Sequence, residues 1–132
     1  MTDKELFQKL VERKVIPQTL ADTLLKEAEF SGVSPEEALY KKKTADEVAV
    51  AQAKAELIGA PYKKIDVASI PDDVLSLIPK ETSQTYRVVP LERQGGMLIV
   101  GMLRPDDPRG QEALRFVARR EGVSLGVYIV TP

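Results

Sequence analysis

The stretch "YRVVPLERQGGMLIVGML", residues 86–103, sets two apolar, β-branched runs on either side of a diglycine. Val88, Val89 and Leu91 face Leu98, Ile99 and Val100 across Gly95 and Gly96, the pattern of two strands joined by a tight hairpin whose glycines supply positive φ. Downstream, "RPDDPRGQEALRFVARREG" at 104–122 changes period: Ala113, Leu114 and Val117 recur at helical spacing and Gly122 stops the run. "SLGVYIV" at 124–130 returns to a strand. A helix between the second and third strands makes this half an α/β unit with at least three strands.

Upstream of residue 86 the signals are helical. "SIPDDVLSLIP" at 69–79 predicts one or two helical turns between Pro71 and Ile78, and a further short helix is expected over Lys80 to Thr85. Ile65 and Val67 suit a short strand. "GAPYKK" at 59–64 is a break, since neither Gly59 nor Pro61 continues a helix. Before it, Thr2 with Glu5 and Ser34 with Glu37 form capping boxes, Pro35 fits a first helical position, and "TADE" at 44–47 repeats the device with Thr44 and Glu47. Leu6, Phe7, Leu10 and Val11 make one apolar stripe, Leu20, Leu24 and Ala28 a second, and Val48, Ala51, Ala55 and Ile58 a third. The predicted class is α+β: a short-helix subdomain over residues 1–60, then a compact α/β subdomain over 61–132.

Composition excludes several function classes. The chain has 132 residues and a formal net charge of −1, so the basic excess of a nucleic-acid binder is missing. It has no cysteine and no histidine, which removes disulfides, thiolate sites, the commonest zinc ligand and the commonest general base. No apolar run approaches the roughly 20 residues of a membrane span. The first residues, "MTDKELFQKL", do not form a secretory signal. A cytoplasmic protein is the expectation.

Asp106 and Asp107, fenced by Pro105 and Pro108, are the one acidic pair placed at a strand end. They read as a helix start, with Asp107 at the N-cap and Pro108 at the first helical position. A Mg²⁺ or acid–base role would need a third ligand and a phosphate loop; neither G-x-x-x-x-G-K-[ST] nor G-x-G-x-x-G occurs. Lys41 to Lys43 read as a solvated loop between two helices, and Arg119 and Arg120 as complements to a helix dipole. Tyr40, Tyr62, Tyr86 and Tyr128 are scattered and read as edge-of-core residues. No catalytic residue, metal ligand or cofactor contact is expected.

The order of motifs from Gly59 to Asp107 resembles the N-terminal domain of the type II secretion and type IV pilus assembly ATPases, the family that includes the MshEN cyclic-di-GMP-binding domains. The carrying features are "GAPY" at 59–62, "ID" at 65–66, "LIP" at 77–79, "VVPL" at 88–91, and the strand and turn from Gly96 to Asp107. The resemblance implies a non-catalytic docking domain, which links a hexameric motor to the cytoplasmic domain of an inner-membrane platform protein. It places the protein in the bacterial cytoplasm, peripheral to the inner membrane through that partner, with no direct membrane insertion and no nucleic acid. ATP and Mg²⁺ are then expected only in a core domain outside this chain, and the chain is expected to be one piece of a longer protein.

The resemblance also implies an alternative, a cyclic-dinucleotide sensor with a diverged site. In ligand-binding members an arginine and two glycines stand where this sequence has Glu5, Phe7 and Lys14 in "ELFQKLVERKVI". An acid facing phosphates is repulsive and a phenyl ring obstructs close backbone approach, so the apolar framework is kept and the ligand positions are lost. For protein partners, the expectation is an open sheet edge with the helices gathered on one face. Arg87, Pro90, Glu92 and Arg93 would line that edge on the first hairpin strand.

Overall fold

A computed structural model describes residues 1–132. The chain forms two compact units, Met1–Gly59 and Ala60–Pro132. The class is α+β, with seven α-helices and a mixed three-stranded sheet.

The first unit holds α1 (Asp3–Glu12), α2 (Gln18–Ser31), α3 (Pro35–Lys42) and α4 (Glu47–Ile58). Thr2 caps α1 by accepting from the Glu5 N–H at 3.1 Å, and Ser34 caps α3 by accepting from the Glu37 N–H at 3.1 Å. Leu6, Phe7, Leu10, Ile16, Ala21, Leu24, Leu39, Val50 and Ala53 fill its core. Three expectations change. Asp46, not Thr44, is the N-cap of α4: it directly precedes Glu47, and its carboxylate accepts from the Val48 N–H at 3.4 Å. The buried face of α4 is Val50, Ala51, Ala53 and Lys54, while Val48 is exposed, because a helix rich in alanine on every side gives its own pattern little direction. Lys41 and Lys42 belong to the last turn of α3 rather than to a loop, where they oppose the negative end of its dipole.

The second unit contains a 3₁₀ turn (Val67–Ser69), α5 (Asp72–Leu75), α6 (Lys80–Tyr86), β1 (Val88–Gln94), β2 (Met97–Met102), α7 (Pro108–Glu121) and β3 (Ser124–Ile129). Val67 is not on a strand: Asp66 accepts from the Ala68 N–H at 3.1 Å and turns the backbone there. Residues 61–63 supply the extended piece instead, with Tyr62 bridged in parallel to Ile129.

The sheet order is β1-β2-β3. β1 and β2 are antiparallel, from Val88 opposite Met102 to Gln94 opposite Met97, and β2 runs parallel to β3 through the α7 crossover. In the hairpin only Gly95, at φ 56°, is left-handed; Gly96 is not. That is the II′ pattern, in which only the first central residue needs positive φ.

The sheet is covered on both faces, not on one as the sequence suggests. Leu98, Val100, Met102 and Val88 pack with Leu114 and Val117 of α7. On the opposite face Leu91, Val89, Ile99 and Tyr128 pack with Ile70 and Val74, because "SIPDDVL" turns these two apolar residues onto the sheet. A Cβ on Gly101 would lie 2.5 Å from Val130 Cγ1, so this central-strand position admits no side chain without movement.

Candidate functional site

At the end of β2 the chain turns through Arg104-Pro105-Asp106-Asp107 into α7. Asp107 is the N-cap: its backbone is extended (φ −71°, ψ 113°) and its carboxylate accepts from the Arg109 N–H at 3.0 Å. Pro108 follows at the first helical position, where its missing donor costs nothing. Asp106 instead accepts from Arg104 Nε at 3.2 Å. Burial pushes its carboxyl up, but the hydrogen bond and positive charge of Arg104, together with further hydrogen bonds to the carboxylate, outweigh that and hold it below the ordinary carboxylate value. The two carboxylates therefore have separate structural tasks. No group of three or more His, Cys, Asp or Glu side chains is arranged to hold a metal ion.

The three positions of the diverged ligand motif lie on and just after α1, and they differ from one another. Glu5 is exposed in the first turn. Phe7 is fully buried in the helical core, so its ring is packing material. Lys14 closes the helix in the left-handed region at φ 59°. Around it, Lys14 N–H donates to the Val11 carbonyl at 3.0 Å and Val15 N–H to the Leu10 carbonyl at 2.9 Å, the two bonds of a Schellman ending. A glycine at position 14 would thus serve backbone conformation first, a role the ligand-centred reading did not assign to it.

The four partner-edge positions also separate. β1 is an edge strand. Arg87 takes the left-handed conformation (φ 54°) at the end of α6, and its carbonyl accepts from the Leu103 N–H at 3.0 Å. Pro90 is buried, at the start of a bulge where the register shifts between Pro90 and Glu92. It is not a solvent-facing guard, because it lies opposite Val100, a residue of the core that packs under α7. Glu92 and Arg93 are exposed beyond the bulge, with Arg93 Nη1 3.9 Å from Glu121 Oε2.

Sequence reasoning missed one cluster entirely. Glu36 and Lys54 are buried in the helical unit, with Lys54 Nζ 2.9 Å from Glu36 Oε2. The Tyr40 hydroxyl donates to the same carboxylate oxygen at 2.6 Å and accepts from Lys54 at 3.3 Å. Burial, then the Glu36 charge, drives the Tyr40 phenol far above its ordinary value, which keeps it a donor. The only signal available was the i, i+4 spacing of Glu36 and Tyr40 on a helix.

Comparison with known proteins agrees with this architecture. The chain belongs to the MshEN domain family, whose model matches residues 58–132, the whole α/β unit. Over 112 residues it is 26% identical to the type IV pilus assembly ATPase PilB of Myxococcus xanthus, and over 118 residues it is 30% identical to bacteriophage adsorption protein B of Escherichia coli K12. These alignments take in 85% and 89% of this chain but only 20% and 16% of those proteins. Among solved structures, MshE with cdg superposes with a TM-score of 0.71 at 21% identity, covering 96% of this chain and 89% of that one. The N-terminal domain of XpsE superposes with a TM-score of 0.71 at 19% identity, covering 98% and 87%. The resemblance and the fold class read from the sequence are thereby shown. Glu5, Phe7 and Lys14 fall outside the residues the family model matches. No helix is long and apolar enough to cross a membrane.

Proposed function

We infer that this chain is a non-catalytic docking module of a secretion or pilus motor, joining the motor to the cytoplasmic domain of an inner-membrane platform protein. One observation carries the reading: most of the chain aligns with a pilus assembly ATPase, yet with only 20% of that protein's length. The same stretch aligns with a protein of unlike description, an adsorption protein. A portable recognition module fits both better than an enzyme does. In this reading ATP and Mg²⁺ belong to a separate core of a hexameric parent, and the module works in the cytoplasm, peripheral to the membrane through its partner.

A second reading, sensing of a cyclic dinucleotide, is favoured by the likeness to MshE with cdg. The exposed acid at Glu5 and the packed ring of Phe7 weigh against it, since neither presents a donor to a phosphate. Two measurements on the full chain test the pair. Pull-down with the platform protein's cytoplasmic domain is expected to succeed, and calorimetry with cyclic di-GMP is expected to show no heat at micromolar concentrations. Micromolar nucleotide binding together with no platform binding would reverse the order of the two readings.

A further inference from the structure

An open cleft of about 730 Å³ lies between α6 and α7. Phe116 stands in its wall and is 66% exposed, the largest apolar side chain of the α/β unit left in solvent. Pro79, Tyr86 and Val117 continue the apolar lining. Its charged lining is Arg109, Arg119 and Arg120 against a single acid, Glu112. That acid is already paired, 3.6 Å from Arg115. Arg120 is engaged twice, donating to the Leu77 carbonyl at 2.8 Å and lying 3.4 Å from Glu121, and Arg109 lies 3.9 Å from Asp107, whereas Arg119 is exposed with no ion pair. A local positive excess on a chain of net charge −1 is a selective feature.

The spacing says what it would select. Arg109 and Arg119 are ten residues apart on one helix, about 15 Å along its axis. No small dianion reaches both. Nor does the helix N-terminus offer a phosphate cradle, since Asp107 already occupies the Arg109 N–H. Phe116 sits between the two cations in sequence. The complement is elongated, with a central apolar anchor and carboxylates on both sides of it. A cleft bounded by two helices receives such a segment as a helix laid into a groove.

We propose that the α6–α7 cleft is a docking site for an acidic amphipathic helix of a partner protein, with Phe116 as its anchor contact and Arg109 and Arg119 as its charge readers. The proposal rests on the docking reading above and names the surface and the partner's chemistry. Exposed aromatics and arginines are the residue types that dominate interface energetics.

The test uses the full chain with Phe116→Ala and Arg119→Glu. Both positions are exposed, so unchanged thermal melts serve as the control for folding. One probe is a synthetic 15-residue helix with leucines at 3/4 spacing flanked by glutamates; its counterpart carries lysines instead. The glutamate helix should bind the wild type, at least tenfold more weakly to either variant, and the lysine helix should gain on Arg119→Glu. Equal binding of the two helices, no binding of the glutamate helix, or indifference to both substitutions overturns the proposal. The second probe is the platform protein's cytoplasmic domain. If the wild type fails to bind it while the glutamate helix still reads Phe116, the docking reading fails and the cleft stands. If platform binding survives both substitutions, the cleft assignment fails and the docking reading stands.

Discussion

Lys54 Nζ sits 2.9 Å from Glu36 Oε2 with both side chains sealed from solvent, 0% and 3% exposed, in the middle of the helical unit. Two charges in a low-dielectric interior hold each other there, and removing one leaves the other uncompensated. Lys54→Met alone should therefore cost about 3–5 kcal/mol in denaturant unfolding. Replacing the whole cluster, as Glu36→Leu, Tyr40→Phe and Lys54→Met together, should recover most of that loss, because apolar residues of similar volume fill the site without stranding a charge. A single-variant loss below about 1 kcal/mol would mean that the pair is not dry.

Tyr40 adds a pH signature to the same cluster. Its folded-state pKa is raised by burial and by Glu36. A raised group contributes stability that is fully present below its unfolded value, about 10, and lost as pH rises above it. Unfolding free energy should fall between about pH 10 and 11.5, and Tyr40→Phe should flatten that part of the profile. An unchanged slope in the Phe variant would dismiss the role.

Legibility tracked the kind of signal. Ser34-Pro35 and Asp107-Pro108 were readable because caps are local chemistry, and the β2–α7–β3 crossover because its period changes twice. Glu36 and Lys54 were not, since a charged residue in an amphipathic pattern reads as solvent-facing until its partner, on another helix, is known. The direction of α4 was hidden by alanine on all sides, and the burial of Pro90 by a bulge that no local pattern announces. Of the candidate site, Asp107's role was legible. The cleft at Phe116 was not, because an exposed phenylalanine looks like a core residue in sequence.

Lys14 holds a conformation that side chains disfavour by about 1–2 kcal/mol. Glycine would relieve that strain while adding some unfolded-state entropy. Lys14→Gly should stabilise the chain by a net of about 0.5–1 kcal/mol, seen as a rise of several degrees in Tm. Lys14→Ala should not match it. A destabilised glycine variant would show that the Schellman ending does not limit α1.

Gly101 lies in the middle of β2, facing Val130 and Val89. Gly101→Ala must push a branched side chain aside and should cost about 1–3 kcal/mol. Combining it with Val130→Ala should cost less than the sum of the two single losses, because the second change makes room for the first. Strict additivity in the double-mutant cycle would refute the contact.

Asp106 and Asp107 are adjacent, yet the structure separates their tasks, and variants should separate them too. Asp107→Ala removes the α7 cap and should cost about 0.5–2 kcal/mol. Asp106 has a depressed folded-state pKa, so its contribution is present above the unfolded carboxylate value, about 3.9, and disappears as pH falls below that. Asp106→Asn should be less stable than the wild type at neutral pH and should converge with it as pH falls through the carboxyl's depressed folded-state value. Neither variant should alter the response of Tm to millimolar Mg²⁺, which is expected to be flat in the wild type. A ligand that binds only the native state must raise its stability. A Mg²⁺-dependent rise in Tm that vanishes in Asp106→Asn would therefore make the pair a metal site, and the capping account of this turn would have to be abandoned.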